Sequence, residues 1–363
     1  MSRPHLFVDI SAHGFGHLAQ VAPVLNALTE RLPALRLTIR SGLPTAKLQA
    51  RIEAALTHLI GSSDFGYVMH DAVSLDLPAT ALAYRRQHAD WPAQVERDAR
   101  VIAGLRPDLV FSDVAYLPLA AAAQVGIPSV AMCSLNWADL FAHFFAGESW
   151  AAEIHGQMLA AYHSVECFLR LTPGMAMPEL RRLRSIAPVA ALGNDCREAL
   201  RRQVGCATGE RLVLIAFGGV SKALPIADWP PLAGVRWLIP QDWQLEHPSV
   251  VSFEGLGRPF TDLLASVDAV ITKPGYGTFA EAACNGTPVL YLRRADWPEQ
   301  DALIDWLNGH ARCREVSEAD LLAGCLHAAL EALWRQPARP VPRPSGAEEA
   351  AAALLPWLAG RGA

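Results

Sequence analysis

Short runs of β-branched and apolar residues alternate with longer stretches of helical period along most of the chain, and this alternation limits the fold more than any other feature. It is the pattern of parallel strands buried on both faces and covered by helices. Leu6-Phe7-Val8 opens the series. Leu18, Val21, Leu25, Leu28 and Leu32 follow in steps of three and four, the apolar stripe of one helix, with Pro23 predicting a kink inside it. Leu37-Thr38-Ile39, an Ala- and Leu-rich helix around 45–56, Leu109-Val110-Phe111 and Ser129 to Met132 complete a first doubly wound unit. A second series runs from Leu212 to Phe217 and continues through 235–239, Val250-Val251, Ala269-Val270-Ile271 and Val289 to Leu292.

At 363 residues the chain exceeds the roughly 100–200 of one domain, and the two series divide it accordingly. The expected division is a first Rossmann-like domain over 1–190, a linker over 191–209, a second Rossmann-like domain over 210–340 and a C-terminal helix over 341–363, set off by the proline-rich QPARPVPRPSG. With 52% hydrophobic and 18% charged residues, disorder as the main state is excluded. A net charge of -5 removes the overall electrostatic footprint of a nucleic-acid binder. The N-terminal apolar run stops at Asp9, too soon for a signal peptide or a membrane span, so a cytoplasmic chain is expected. Cys133, Cys167, Cys196, Cys206, Cys284, Cys313 and Cys325 are odd in number and lack a C-x-x-C spacing, which predicts reduced core residues and no structural zinc.

Doubly wound sheets bind ligands beyond the carboxyl ends of their strands, so the strand-end loops carry the functional expectations. After the first strand, Ser11-Ala12-His13-Gly14-Phe15-Gly16-His17 places Gly14 and Gly16 for close backbone approach to a ligand, in a spacing that differs from a dinucleotide fingerprint. His13 and His17 are turn or cap residues, or His17 is a base; at a helix N-terminus the dipole predicts a neutral ring. Asp113 ends a strand and is either a cap for a helix starting near Ala115 or the partner that fixes the tautomer of His17. The strongest signal is Lys273-Pro274-Gly275-Tyr276-Gly277-Thr278-Phe279-Ala280-Glu281. Turn glycines, a hydroxyl at the helix start and an adjacent cation suit a phosphate. Glu281 shares a helix face with Thr278 and can accept the two hydroxyls of a ribose; the plain alternative is a Gly-rich turn with a surface Glu.

These residues resemble a known family. KPGYGTFAE is similar to the donor-binding signature of inverting glycosyltransferases of the GT-B fold, with Gly275, Tyr276, Thr278 and Glu281 in the positions of its glycine, aromatic, phosphate-binding hydroxyl and ribose-binding carboxylate. Lys273 stands where those enzymes usually carry His. Asp296-Trp297-Pro298-Glu299-Gln300 resembles the segment that holds donor-sugar hydroxyls, with Glu299 and Gln300 as its polar pair. The Gly16-His17 pair and Asp113 resemble the catalytic base and its aspartate. SAHGFGH, the run DLVFSDVAYLPLAAAAQVGIPSV with Asn136-Trp137, and TKPGYGTFAEAACNGTPVLYLRR are similar to the glycosyltransferase-like N-terminal region of plant L-arabinokinases and to the peptidoglycan N-acetylglucosaminyltransferase type.

The resemblance implies an α/β GT-B architecture, two doubly wound Rossmann-like domains facing across a cleft. It implies inverting, metal-independent transfer from a nucleoside diphosphate sugar, most readily UDP-linked, with that sugar as co-substrate and no cofactor. His17, His13 and Asp113 are then the catalytic group, and Gly218, Gly219 and Ser221 join the donor loop. The absence of an Asp-x-Asp pair in a strand-end loop agrees with this. A nucleotide-sugar epimerase or hydrolase, and a non-catalytic nucleotide-sugar-binding protein, are the rival readings. For the acceptor, Asn136, Trp137, Phe141, Phe144 and Phe145 suit an apolar, aromatic or lipid-linked molecule, or else form a helix packed on the core. Arg181, Arg182 and Arg184 are a solvated helix face or a contact for an anion or lipid surface.

Overall fold

The computed structural model describes residues 3–218, 224–230, 232–245 and 247–359. It divides into two compact units. The first takes in the chain up to His70, Leu75–Val189 and the stretch from Pro344; the second is Asp71–Ser74 with Ala190–Arg343.

In the first unit seven parallel strands, β1 (His5–Ile10), β2 (Arg36–Ser41), β3 (Leu56–Ile60), β4 (Leu109–Asp113), β5 (Ser129–Cys133), β6 (Cys167–Leu171) and β7 (Leu183–Ile186), lie in the order 3-2-1-4-5-6-7. Leu6, Phe7 and Val8 are all fully buried, which is why this strand is apolar without alternation. The helix Phe15–Arg31 contains Pro23. Losing one turn's hydrogen bond costs about 3 kcal/mol. Burying Leu18, Val21, Leu25 and Leu28, each at most 3% exposed, contributes about 1.5–3 kcal/mol apiece, so the helix persists.

The second unit repeats the plan with β8 (Arg211–Ile215), β9 (Val235–Ile239), β10 (Val250–Ser252), β11 (Ala269–Thr272), β12 (Val289–Tyr291) and β13 (Cys313–Glu315), all parallel, in the order 10-9-8-11-12-13. In both sheets the order reverses beside the first strand, the topological switch point of doubly wound folds.

Several expectations need correction. The stretch 45–56 is not one helix: Thr45–Gln49 is a single short helix and β3 begins at Leu56. Residues 191–209 are not a free linker, because Gly193 N–H donates to Asn285 Oδ1 (2.9 Å), Asn285 Nδ2 donates to the Ala191 carbonyl (3.2 Å), and Leu200 of the helix Arg197–Gln203 is buried. These contacts hold the segment within the second unit. The C-terminal helix Gly346–Ala359 is no separate piece; it packs on Phe15–Arg31 through Ala350, Ala351 and Leu354. Gly346 lets the helix start close against the chain that follows β7, since a Cβ there falls 2.0 Å from the Ala187 carbonyl oxygen. Arg184 lies in the edge strand β7 and not on a helix face, and Arg182 donates to the Val165 carbonyl at 2.9 Å. Of the cysteines, all free, only Cys133, Cys284 and Cys313 are buried; Cys167, Cys196 and Cys206 are half-buried and Cys325 is exposed. No described helix is long and apolar enough to cross a membrane.

Candidate functional site

In the first unit the parallel register sets Ile10 of β1 beside Asp113, the last residue of β4. The chain leaves β1 through Gly14 at φ +100°, a conformation open to glycine, and enters the helix in which His17 is the third residue. His17 Nδ1 therefore stands 3.0 Å from Asp113 Oδ2 and 3.2 Å from Oδ1. His17 is 6% exposed and Asp113 fully buried. Burial opposes a charge on the ring, but the negative charge and hydrogen bond of Asp113 outweigh it and hold the imidazole's pKa well above its ordinary 6.5. This overturns the expectation of a neutral ring, because a carboxylate in contact exceeds the fraction of a charge at a helix end. Asp113 is thus the partner of His17; the helix after it starts at Leu117 with no side-chain cap.

Cys133, at the end of neighbouring β5, completes a group whose N, O and S atoms all lie within 4.8 Å, the one such group among the described residues. Burial pushes its thiol up to about 11, so it stays protonated beside the ion pair.

Trp137 closes the other side, its ring centroid 6.0 Å from that of His17 and 5.5 Å from that of His13 in a T-shaped contact. Its indole Nε1 donates to Asp64 Oδ2 at 2.8 Å. Asn136 caps the helix Trp137–Phe145 by accepting from Asp139 N–H at 2.8 Å. Trp137, Phe141 and Phe145 are buried and Phe144 half-buried, so this aromatic segment is a packed helix. Asp64 was not anticipated, because the strand before its loop reads as the end of a helix. Burial and the charge of Asp9 raise its pKa to about 6, against the pull of Trp137 and His17.

In the second unit β11 runs into Lys273 and the helix Tyr276–Cys284. Gly275 precedes that helix in an extended conformation and brings no side chain to cap it, and the first-turn N–H groups of a helix have no partner within the helix. Thr278 is half-buried, whereas Glu281 is 2% exposed and is no surface residue. Lys273, half-buried, has its amine pushed down to about 7 by burial and by Arg294, with Glu299 pulling the other way. Arg294, which sequence reasoning missed, lies over the Trp297 ring at 3.8 Å, and burial lowers its pKa to about 10. Glu299 accepts from Trp297 Nε1 at 3.0 Å. Gln300 spends its amide on the Arg294 backbone, accepting from N–H at 3.0 Å and donating to the carbonyl at 3.1 Å. Asp71, in the short segment belonging to this unit, adds its charge near Arg294. Gly218 follows β8 at φ +84°, while Gly219 and Ser221 lie outside the described residues.

Two doubly wound units, one ending in a buried His-Asp pair and the other in an uncapped glycine-rich helix start with a nearby cation, define the GT-B fold, and comparison with known proteins agrees. Over 99% of its length and 96% of the other, the chain superposes on the glycosyltransferase of kitacinnamycin with a TM-score of 0.62 and 17% identity. A putative UDP-N-acetylglucosamine 2-epimerase from Listeria monocytogenes matches at TM-score 0.56 and 12% identity, covering 98% of this chain and 96% of that one. In sequence the chain is 26% identical to L-arabinokinase of Arabidopsis thaliana over 325 residues, 87% of this chain; it spans 30% of that relative's length. No protein-family model matches.

Proposed function

We propose that the chain is an inverting glycosyltransferase that moves a sugar from a nucleoside diphosphate donor, UDP-linked, to a hydroxyl acceptor without a metal ion. The observation that carries this reading is the His17–Asp113 contact at 3.0 Å, buried at the strand ends where doubly wound sheets bind ligands. Asp113 fixes the proton on Nδ1 and leaves the Nε2 lone pair as the base. His17 takes the acceptor proton, the acceptor oxygen forms a bond to the anomeric carbon, and the bond from that carbon to the diphosphate oxygen breaks. The developing negative charge on the departing diphosphate meets the first-turn N–H groups before Thr278 and the Lys273 amine, which serve the role a metal ion plays elsewhere. In this reading Glu281 binds the ribose hydroxyls and Glu299 the donor sugar.

Incubation with UDP-sugars and an acceptor panel tests the proposal, with nuclear magnetic resonance reading the anomeric configuration of the product. Retained configuration, or full turnover by His17→Ala, overturns it. The second reading, suggested by the name of the Listeria neighbour, is epimerisation of a nucleotide sugar. Turnover without any acceptor favours that reading.

A further inference from the structure

The polar atoms around His17 identify the acceptor class, on the assumption that the glycosyltransferase reading holds. Asn136 Nδ2 and Gln20 Oε1 are buried and have no hydrogen-bond partner, and neither has Asp64 Oδ1, although the Ser11 side chain lies close to that carboxylate. All three belong to the surroundings of the dyad. Gln20 follows His17 by one helical turn, on the same face, and its Nε2 donates to Ser134 Oγ, in the residue after Cys133. Asn136 begins the helix of Trp137, and Asp64 is bonded to that indole. In each case the other side-chain atom is engaged, so each residue is locked with one polar atom left over.

An unmatched buried polar atom costs about 1–3 kcal/mol, more for a carboxylate. Native structures leave few of them, and three beside a single base call for a ligand that supplies the missing partners. A flat phenolic or a polyprenyl chain brings one hydroxyl or phosphate and otherwise apolar surface, which leaves these atoms bare. A sugar or polyol brings several hydroxyls, each both donor and acceptor, and matches two acceptors and one donor. In the helix Trp137–Phe145 the rings of Trp137, Phe141 and Phe145 are buried and serve packing.

We infer that the acceptor is a polyhydroxylated molecule, a free or linked sugar or polyol, whose reacting hydroxyl lies at His17 and whose neighbouring hydroxyls are held by Asp64, Asn136 and Gln20. Asp64 accepts from a hydroxyl, Asn136 donates to one and Gln20 accepts from another.

The test uses the full chain with saturating UDP and ligand-observed nuclear magnetic resonance. One probe set is arabinose, glucose, methyl glucoside and inositol; the other, with a single polar group on an apolar body, is 2-naphthol and geranyl phosphate. The variants are isosteric: Asp64→Asn still accepts from Trp137 but turns an acceptor into a donor, and Asn136→Asp keeps the helix cap but loses the donor. The expected result is saturation transfer to at least one sugar or polyol, weakened about tenfold or more in both variants while their melting transitions stay near wild type. Binding of 2-naphthol or geranyl phosphate alone, no binding of any sugar, or sugar binding unchanged in the variants overturns the inference. Should a variant unfold, Gln20→Met, which keeps the length of the side chain but removes the acceptor, takes its place. UDP binding is read in the same samples; its absence in wild type strikes the glycosyltransferase reading, whereas UDP binding with no sugar binding strikes only the acceptor class.

Discussion

Asp113→Asn is the substitution that most directly tests the base, because it removes a charge at nearly constant volume. Opposite unit charges 3.0 Å apart attract by on the order of 5 kcal/mol at an effective dielectric of about 20. This attraction is what raises His17 above its ordinary value against the cost of burial. In the native protein the ring therefore keeps its proton as pH passes 6.5, and the reactive neutral form develops only on the alkaline side. Its rate climbs with pH there. In the variant the largest influence opposing burial is gone, the ring's value falls, and the same limb moves toward acid pH. The plateau also drops, since the tautomer is no longer fixed, within the roughly 10²–10⁴-fold that a positioned general base contributes. The assay is UDP release from the donor and acceptor from about pH 5.5 to about pH 9.5 for both proteins. A limb at the same pH in the two proteins refutes the reasoning, even if the plateau falls.

The remaining predictions concern the second unit. UDP at about 100 times its Kd stabilises a binding protein by roughly 2.7 kcal/mol, a shift of several degrees in melting temperature that Glu281→Ala abolishes; an equal shift in the variant removes Glu281 from the nucleotide site. Because the Lys273 amine titrates near 7, its positive charge is present below that pH and fades above it, so UDP affinity by calorimetry weakens from pH 6 to pH 8.5 more in wild type than in Lys273→Met. Parallel slopes in the two proteins count against a diphosphate at Lys273. Gln300→Ala strands the Arg294 N–H and carbonyl and costs about 1–3 kcal/mol in denaturant unfolding, while Gln300→Glu, which keeps the acceptor, costs less.

The alternation of strands and helices was legible where burial is complete on both faces of the sheet. Leu6-Phe7-Val8 and Val213 to Ile215 need no partner information to be recognised. It failed at the edges. β3, with burial only partial, and β7, with two exposed residues of four, carry Thr57, His58, Arg184 and Ser185 instead of an apolar run. Edge strands face solvent, and their identity comes from pairing to β2 and β6, which no local pattern displays. The destination of the C-terminal helix was illegible for the same reason: an Ala- and Leu-rich stripe fits many surfaces, and neither its packing on Phe15–Arg31 nor the close approach of Gly346 to Ala187 leaves a local signal.

The candidate site shows the same division at the level of single side chains. His17, Asp113, Lys273 and Glu281 follow strands that the pattern revealed, so their loops could be found and read. Asp64 follows a misread strand, and its importance depends on Trp137, 73 residues away, which takes one carboxylate oxygen and leaves the other buried. The charge state of His17 was misjudged because a helix terminus is visible in sequence and a 3.0 Å neighbour 96 residues distant is not. Local rules supplied the sign of the weaker term, the dipole, and tertiary contact supplied the stronger one. Chemistry at this site is therefore set by pairs that the sheet register brings together, Ile10 beside Asp113 being the contact from which the His17–Asp113 geometry follows.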